Sequence, residues 1–371
     1  MLVDKINQIE LELTTKCNAS CPQCVRNYFG SYTWPTLPIL DMDIEWLKET
    51  IPADVWKDLE HIKFCGTYGD PCMHKDLIDI IKWIKDNSTA SITINTNGGI
   101  RSKSWWQELA AMLDSDRDKV FFGIDGLEDT NHLHRIGVVY SKVIENLTVF
   151  NHAGGHSVWS YLVFEHNQHQ IEPARQLSIE LGCSNFVCKK TSRFVNKTHE
   201  LIEQTPVLDD SGEPIYFIRP STIPKYQNKG YEDFKLVSEQ YQGYQNYLKN
   251  TEIDCKAKRQ HYIYISAEGD VFPCGFLSDR MYGYESENHQ DHKTMMDIIE
   301  SIGGRTKINL HHTSLNDIVH GDWFDAIEHS WTDNSIQRCA HMCGKESTLL
   351  SYANTELYAV WSGDTFEKEN K

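Results

Sequence analysis

Short runs of alternating apolar and polar residues recur through the first half of the chain, each followed by a longer run with helical spacing. Period-two alternation predicts strands, and apolar residues at intervals of three and four predict helices. This succession indicates βαβ units on a parallel sheet, and about six repeats indicate a partial or complete barrel. The strand-like runs are QIELEL (8–13), HIKFCG (61–66), SITINTNGG (91–99), KVFFGIDG (119–126), VWSYLVFEHN (158–167) and NFVCKK (185–190). The helical runs are IEWLKETIPADVWKDL (44–59), HKDLIDIIKWIKDN (74–87), KSWWQELAAML (103–113), YSKVIENLTVFNHAG (140–154) and IEPARQLSIELG (171–182).

The alternation stops at about residue 195. The following residues are polar with interspersed proline and tyrosine, which is typical of a connector or a substrate-specific insertion. A second cysteine-bearing region comes next, and the closing TFEKENK predicts a frayed tail. We therefore expect a barrel domain at 1–195, a connector or insertion at 196–250, a cysteine-bearing domain at 251–350 and a tail at 351–371.

Charge and composition narrow the function classes. The 371 residues carry a formal charge of -17, which argues against general binding to nucleic acid or anionic membranes. The chain has no apolar run of membrane-spanning length, and its first residues lack the basic start and apolar run of a signal peptide. We therefore predict a cytoplasmic protein. Eleven cysteines in such a chain favour metal or redox chemistry over a disulfide framework.

The segment TTKCNASCPQC, residues 14–24, places the thiols of Cys17, Cys21 and Cys24 in one loop after the first strand. A structural zinc site closes with four ligands, whereas three thiolates can bind three irons of a 4Fe-4S cluster and leave one iron open. Zinc with a distant fourth ligand and three unrelated thiols are the alternatives. The loop follows a strand of a predicted parallel sheet, at the end where active sites form.

The CxxxCxxC spacing after an N-terminal strand resembles the signature of the radical S-adenosylmethionine (SAM) superfamily. The resemblance implies a partial (β/α)6 TIM-like barrel. It also implies that Cys17, Cys21 and Cys24 are catalytic residues holding a 4Fe-4S cluster, whose open iron binds the amino and carboxylate groups of SAM. The residue before the third cysteine is commonly aromatic in that family, and Gln23 departs from this pattern.

The stretch CGTYGDPCMHKDL is similar to the glycine-rich GxGEP stretch of that family. The similarity implies that this backbone binds the amino group of SAM, with Asp70 replacing the usual glutamate. Glycines allow a close backbone approach and proline restricts the turn. A plain turn is the alternative. The residues concerned are Gly66, Thr67, Gly69, Asp70 and Pro71.

TINTNGG and GIDGLEDTNHLHRIG resemble the third and fourth strand ends of the same family. The resemblance implies SAM contacts for Thr96, Asn97, Asp125 and Arg135. An amide or carboxylate can bond ribose hydroxyls, and an arginine can pair with the methionine carboxylate. Turn formation and a surface ion pair are the alternatives. LVFEHNQHQ resembles the fifth unit, where Asn167 would approach the adenine.

The second cysteine-bearing region resembles SPASM and twitch domains, which implies a C-terminal α+β domain that binds an auxiliary cluster. Thirteen residues separate Cys255 from Gly269, and four separate Gly269 from Cys274. A strand, a tight turn and a returning strand would bring these two thiols together on one hairpin. CAHMC adds Cys339 and Cys343.

Four cysteines suffice for one auxiliary 4Fe-4S cluster, so the twitch form fits better than a full SPASM domain, which holds two. A cluster with four thiolate ligands favours electron transfer over direct binding of substrate. A four-cysteine zinc ribbon is the alternative.

The resemblance also implies a reaction. One electron from a reductase such as flavodoxin or ferredoxin cleaves SAM to methionine and a 5'-deoxyadenosyl radical, which abstracts hydrogen from the substrate. We consider three hypotheses: an oxidoreductase acting on a small molecule by oxidation or rearrangement, a maturase that modifies a peptide or protein, and a non-catalytic iron-sulfur or zinc module. SAM cleavage would separate the third from the others, and dependence on a peptide would separate the second from the first.

The remaining cysteines are expected to be small buried hydrophobes, although two of them flank the glycine-rich stretch. The seventeen histidines show no metal-binding spacing. The tryptophans, including Trp105 and Trp106, are expected to anchor helix packing. These remaining cysteines are Cys65, Cys72, Cys183 and Cys188.

Overall fold

The computed structural model describes residues 2–191, 193–194, 201–228, 230–282, 290–333, 335–347 and 356–359, with the side chains of 230–234 and 356–359 excepted. The strands are β1 (Gln8–Leu11), β2 (His61–Phe64), β3 (Ser91–Thr96), β4 (Lys119–Gly123), β5 (Ser157–Val163), β6 (Asn185–Lys190), β7 (Thr205–Leu208), β8 (Pro214–Ile218), β9 (Tyr262–Ile265), β10 (Val271–Phe272) and β11 (Glu356–Ala359). The helices are α1 (Ile44–Thr50), α2 (Ala53–Asp58), α3 (Leu77–Asn87), α4 (Lys103–Met112), α5 (Asn131–His134), α6 (Tyr140–His152), α7 (Ile171–Glu180), α8 (Gly230–Gln240), α9 (Tyr244–Asn250), α10 (Lys256–Gln260), α11 (Gly275–Ser278), α12 (Gln290–Ser301), α13 (Leu315–Val319), α14 (Asp322–His329) and α15 (Gln337–Cys343).

The predicted alternation of strands and helices is present from β1 to β6, which confirms the α/β fold class with the parallel strands of a partial barrel. One helix was predicted too long. The run at 44–59 forms two helices, because Pro52 disfavours the helical conformation of the residue before it. Ile51 is accordingly extended, with φ -80° and ψ 125°.

The chain forms two compact units, and the first consists of residues 1–16, 34–92 and 232–350. Its strands are ordered β10-β9-β1-β2. Strand β1 is parallel to both neighbours, with Gln8 opposite His61 on one side and Tyr262 on the other. Alternate residues of β1 and β2 are buried, so the period-two pattern in the sequence corresponds to one face of the sheet.

The second unit consists of residues 17–33, 93–231 and 351–371. Its strands are ordered β3-β4-β5-β6-β11, all parallel except β11. Part of the predicted connector is an antiparallel hairpin of β7 and β8. Val207 and Ile218 of this hairpin form a buried apolar cluster with Phe164 and Phe194, so the hairpin is a packed part of this unit.

No helix among the described residues is long and apolar enough to cross a membrane. The frayed tail predicted at TFEKENK lies outside the described residues.

Candidate functional site

The three-cysteine loop lies in the second unit. Its cysteines are reduced, with Cys21 buried and Cys17 and Cys24 half-buried. A turn closes the loop, because the amide of Cys24 donates to the carbonyl of Cys21 at 3.1 Å. The amide of Ser20 donates to the carbonyl of Ile136 at 2.9 Å and anchors the loop to the segment after α5. The loop therefore presents three thiols from a fixed backbone.

Arg135 lies beside this loop and is held by Asp125. Its Nε donates to the Asp125 carboxylate at 2.5 Å, and its Nη1 lies 4.0 Å from the sulfur of Cys21. The guanidinium also rests on Gly123 at the end of β4. A Cβ at that position would lie 2.5 Å from Nη2 of Arg135. Gly123 is a site residue that the sequence analysis missed, although a glycine ending a strand is a recognisable signal of close approach.

Asp125 is fully buried, and its carboxylate is occupied by the protein. In addition to Arg135, it accepts hydrogen bonds from Nδ1 of His134 at 2.7 Å and from the amide of Leu162 at 2.8 Å. Burial would raise the pKa of Asp125, but Arg135 and His134 outweigh it and hold that pKa below its usual range. Asp125 is therefore a carboxylate that positions Arg135, and a contact with ribose stays a prediction.

Burial and neighbouring charge have opposite effects on the pKa of Arg135, and likewise on the pKa of Cys21. Burial lowers the pKa of Arg135, but the Asp125 carboxylate and the Cys21 thiol outweigh it and raise that pKa. Burial raises the pKa of Cys21 to about 11, against the opposing charge of Arg135. A permanent cation beside this sulfur favours the thiolate, which is the form that binds iron.

Asn97 reaches the same loop from the end of β3. Its Nδ2 donates to Oδ1 of Asn18 at 2.8 Å and lies 3.9 Å from the sulfur of Cys17. Its Oδ1 accepts from the amide of Gly99 at 2.9 Å, which fixes the side chain. Thr96 is buried, and its hydroxyl accepts from the amide of Gly98 at 3.0 Å. The structure thus brings Asn97 next to the first cysteine, and its contact with SAM stays a prediction.

Asn167 is hydrogen-bonded within the chain. It is fully buried, its Nδ2 donates to the carbonyls of Asp125 and Leu162, and its Oδ1 accepts from the amide of Phe164. These bonds hold the loop after β5 and use both donors and an acceptor of the amide. The contact of Asn167 with adenine stays a prediction.

Gln23 has a structural partner in the hairpin. Its Nε2 donates to the hydroxyl of Thr205 at 3.1 Å and to the carbonyl of Arg193 at 3.3 Å, and Nη1 of Arg193 donates back to the carbonyl of Gln23. Further along, the amide of Leu208 donates to the carbonyl of Phe29 at 3.0 Å. The cysteine loop is therefore tied to β7, which no local pattern in the sequence indicated.

The glycine-rich segment lies in the first unit. Its glycines are required by contacts within the chain. A Cβ at Gly66 would lie 2.4 Å from the carbonyl oxygen of Gly69, and a Cβ at Gly69 would lie 2.0 Å from that of Thr14. The Asp70 side chain accepts from the amide of Cys72 at 3.0 Å and caps the turn that begins at Pro71. Thr67 is half-buried beside them.

Glu12, which the sequence analysis passed over, holds this segment. Its carboxyl is buried and accepts from the amides of Tyr68 and Gly69 at 2.5 and 3.1 Å, and from the hydroxyl of Tyr264 at 2.5 Å. Burial raises the pKa of Glu12 to about 7, although these three donors lower it. A glutamate in an alternating strand gives no local signal of burial.

The four auxiliary cysteines line one cavity in the first unit, together with apolar side chains such as Phe276 and Met342. Cys255 precedes helix α10 and does not lie on the β9–β10 hairpin, and Cys274 precedes α11. The prediction that one hairpin carries both thiols is therefore wrong. The other two thiols lie one turn apart on α15.

Donors for sulfur surround this cavity. Burial raises the pKa of Cys255 to about 11, and the backbone amides of Lys258 and Ala257 oppose this. Burial raises the pKa of Cys339 above its usual range, and the buried indole N–H of Trp331, which lies beside this thiol, opposes the shift. Thiols, amides and an indole N–H are a donor set that fits an iron-sulfur cluster.

No three His, Cys, Asp or Glu side chains within the described ranges converge tightly enough to hold a single metal ion. For the three-cysteine loop, the fit to a cluster rests on the donor set, which is three thiols with Asn97 and Arg135 next to two of the sulfurs. Of the remaining cysteines, Cys65, Cys72 and Cys188 are buried as expected. Cys183 is half-buried, and its sulfur accepts from Asn151 at 3.7 Å.

Two curated proteins are similar to part of this chain. The tungsten-containing aldehyde ferredoxin oxidoreductase cofactor-modifying protein of Pyrococcus furiosus is 28% identical over 134 residues, covering 36% of this chain and 35% of that protein. The 7,8-dihydro-6-hydroxymethylpterin dimethyltransferase of Methanocaldococcus jannaschii is 27% identical over 142 residues, covering 37% and 26%. The chain thus matches about a third of the length of these relatives or less.

A solved structure and a family profile agree with this similarity. The structure of anSMEcpe with bound AdoMet aligns with a TM-score of 0.53 and 15% identity, covering 91% of this chain and 85% of that one, which shows a shared fold. Residues 11–177 match the Radical SAM superfamily, and they contain the three-cysteine loop, the glycine-rich segment, Asn97 and Arg135. Residues 11–177 are therefore a domain of the radical SAM superfamily.

Proposed function

We propose that this chain is a radical SAM oxidoreductase that acts on a small molecule. The observation that carries the proposal is the environment of the three-cysteine loop, in which Asn97 and Arg135 lie next to the sulfurs of Cys17 and Cys21. Cys17, Cys21 and Cys24 would hold a 4Fe-4S cluster, which would supply the electron for reductive cleavage of SAM and thereby the means to abstract hydrogen from the substrate.

The side chains around the loop hold and orient these groups. Arg135, fixed by Asp125, places a permanent positive charge beside Cys21 and can pair with the carboxylate of SAM. Asn97 fixes Asn18 within the loop and presents an amide beside Cys17. We assign the remaining SAM contacts to the residues of the resemblance: Gly66, Thr67, Gly69, Asp70, Pro71, Thr96, Asp125 and Asn167.

The auxiliary cysteines would hold a second 4Fe-4S cluster that transfers electrons. Four thiols around one apolar cavity, with amide and indole donors beside them, support this assignment. Four thiolates satisfy all four irons, so such a cluster passes an electron onward without binding the substrate.

The small-molecule class rests on the relatives. One is named for modifying a cofactor and the other for methylating a pterin, and neither name refers to a peptide. We propose a flavodoxin or ferredoxin as the source of the first electron.

Anaerobic reconstitution tests the proposal. We expect about eight iron and eight sulfide per chain, and release of 5'-deoxyadenosine that a small-molecule substrate stimulates. Zinc in place of iron at the auxiliary cysteines would remove the second cluster. No 5'-deoxyadenosine under any reductant would support a non-catalytic module, and stimulation only by a peptide would assign the chain to the maturases.

A further inference from the structure

Glu12 is a buried carboxyl with no part in the chemistry proposed above. It follows β1 directly and is 1% exposed. Its Oε1 accepts from the amides of Tyr68 and Gly69, and its Oε2 accepts from the hydroxyl of Tyr264. Tyr68 and Tyr264 are buried as well, so water does not replace these donors. A buried carboxyl with three donors from two distant segments is costly to keep unless its geometry is used.

The two amides belong to the glycine-rich segment, and Glu12 determines their direction. In a planar trans peptide the N–H and C=O groups point to opposite sides. Because the amides of Tyr68 and Gly69 point at Glu12, the carbonyls of the same two peptides, those of Thr67 and Tyr68, point away from it. Two carbonyl oxygens that point away from Glu12 on the same side can accept from an ammonium group.

The other side of this segment is fixed by the chain after β1. Gly69 packs on the carbonyl of Thr14, where a Cβ would lie at 2.0 Å, and the amide of Asp70 donates to the carbonyl of Lys16 at 2.8 Å. Removing Glu12 would leave these contacts in place. The peptides at 67–69 would then lose the carboxyl that fixes their orientation.

The same carboxyl connects to the cysteine-bearing region. Tyr264 lies on β9, between Cys255 and Cys274 in sequence. The hydroxyl of Tyr68 donates to the carbonyl of Ser278 at 2.9 Å, on the short helix that follows Cys274. Hydrogen bonds therefore connect Glu12 to β9 and the glycine-rich segment to α11.

We propose that Glu12 is a positioning residue for SAM. By fixing the amides of Tyr68 and Gly69, it aims the carbonyls of Thr67 and Tyr68 at the ammonium group of SAM, and Tyr264 on β9 supports it. The inference rests on the proposed function, because it takes the glycine-rich segment as the SAM ammonium site.

Four variants of the reconstituted protein test this. Glu12→Ala removes the anchor, Glu12→Gln retains an oxygen for the amides, and Tyr264→Phe removes the third donor. Glu10→Ala is the matched control, since Glu10 lies on β1 two residues before Glu12 and accepts from Lys63 and Tyr262 instead. Hydrogen exchange of the peptide covering 65–72 and equilibrium binding of SAM are measured on each.

In Glu12→Ala, exchange at the amides of 68 and 69 should rise about tenfold or more, and the Kd for SAM should rise about tenfold, because two buried amides lose their acceptor. KM for SAM should rise in parallel with little change in kcat. Glu12→Gln should stay within about threefold of the original Kd, and Tyr264→Phe should lie between. Glu10→Ala should leave the Kd for SAM and the exchange at 68 and 69 unchanged. The iron content should be the same in all variants.

An unchanged Kd for SAM in Glu12→Ala, or equal weakening by Glu10→Ala, would overturn the inference. If Glu12→Ala does not fold, the inference is tested by Tyr264→Phe. Normal SAM affinity and normal exchange at 68 and 69 in that variant would contradict the inference. If the original protein binds no SAM at all, the proposed function fails and the inference fails with it. Binding by the original protein without any loss in the variants leaves the proposed function intact and defeats the inference alone.

Discussion

At the residue scale, each thiol of the three-cysteine loop has a distinct surrounding. Cys17 lies near an amide, Cys21 lies near a guanidinium and is buried, and Cys24 closes a turn with Cys21. If these three are the only ligands of one cluster, the loss of any one leaves two. We therefore expect each of the three cysteines to be required for the cluster.

Cys24→Ala should abolish reductive SAM cleavage while leaving the auxiliary cluster in place, so that iron falls from about eight to about four per chain. Iron analysis and assay of 5'-deoxyadenosine measure this. Cys183→Ala is the control, because that thiol lies outside both cysteine groups. SAM cleavage that persists in Cys24→Ala would remove the proposed mechanism.

Gly123 tests the placement of Arg135. A methyl group at 123 would meet the guanidinium at 2.5 Å, and the flexible arginine would move before the backbone does. Gly123→Ala should therefore remain folded but lower SAM cleavage roughly tenfold, as expected when one charge-assisted contact is lost.

The double variant Gly123→Ala with Arg135→Ala identifies the route of this effect. If the methyl group acts through Arg135, the double variant should be no worse than Arg135→Ala alone. Additive losses would instead mean that Gly123 acts independently.

Glu12 predicts a pH dependence of stability. Its pKa is raised to about 7 in the folded protein, from 4.5 in the unfolded chain, with Glu10, Cys65 and Tyr264 as the ionisable groups around it. Between pH 4.5 and 7 the unfolded chain loses this proton first, so the free energy of unfolding falls as pH rises. Relative to its value below pH 4.5, the free energy of unfolding falls by about 3 kcal/mol at pH 7 through this group.

Glu12→Gln lacks this titration. Its free energy of unfolding, measured by chemical denaturation, should gain on that of the original protein as pH rises from 4.5 to 7. Parallel stability curves over that range would contradict the raised pKa.

At the scale of elements, helix α15 carries half of the auxiliary ligand set. Cys339 and Cys343 lie one turn apart, and the carbonyl of Cys343 accepts from the amide of Asp254, next to Cys255. This places the helix and the start of α10 against each other. Metal binding would therefore stabilise both segments together.

Replacing Cys339 by Ala should impair turnover of substrate while substrate-free SAM cleavage continues. Circular dichroism and iron content first establish that the variant is folded and retains the SAM cluster. If substrate turnover is then normal, the auxiliary cysteines have no role in the electron path.

At the scale of the whole molecule, the two proposed clusters differ in the number of their thiolate ligands. Three thiolates leave an open iron for SAM, whereas four leave none for substrate. We therefore expect the spectrum of the auxiliary cluster to be the same with and without substrate. A substrate-dependent change confined to that cluster would establish an open coordination site. The substrate would then bind the auxiliary cluster directly.

The local sequence determined the elements and the spacing of the cysteines. Alternation in runs such as SITINT depends only on neighbouring residues, and so does the spacing of Cys17, Cys21 and Cys24, which is why both could be predicted. Pro52 was an equally local signal, and it divides the helix predicted at 44–59.

Tertiary structure decided what lies beside these elements. Strand β9 pairs with β1 across more than two hundred and fifty residues of sequence, Gln23 bonds the β7 hairpin, and Glu12 bonds Tyr264. Such contacts depend on which surfaces pack together, and a single sequence without homologues carries no local trace of that choice. The alternation around Glu12 reads as an ordinary half-buried strand, and only packing against β9 and the glycine-rich segment makes its carboxyl a buried anchor.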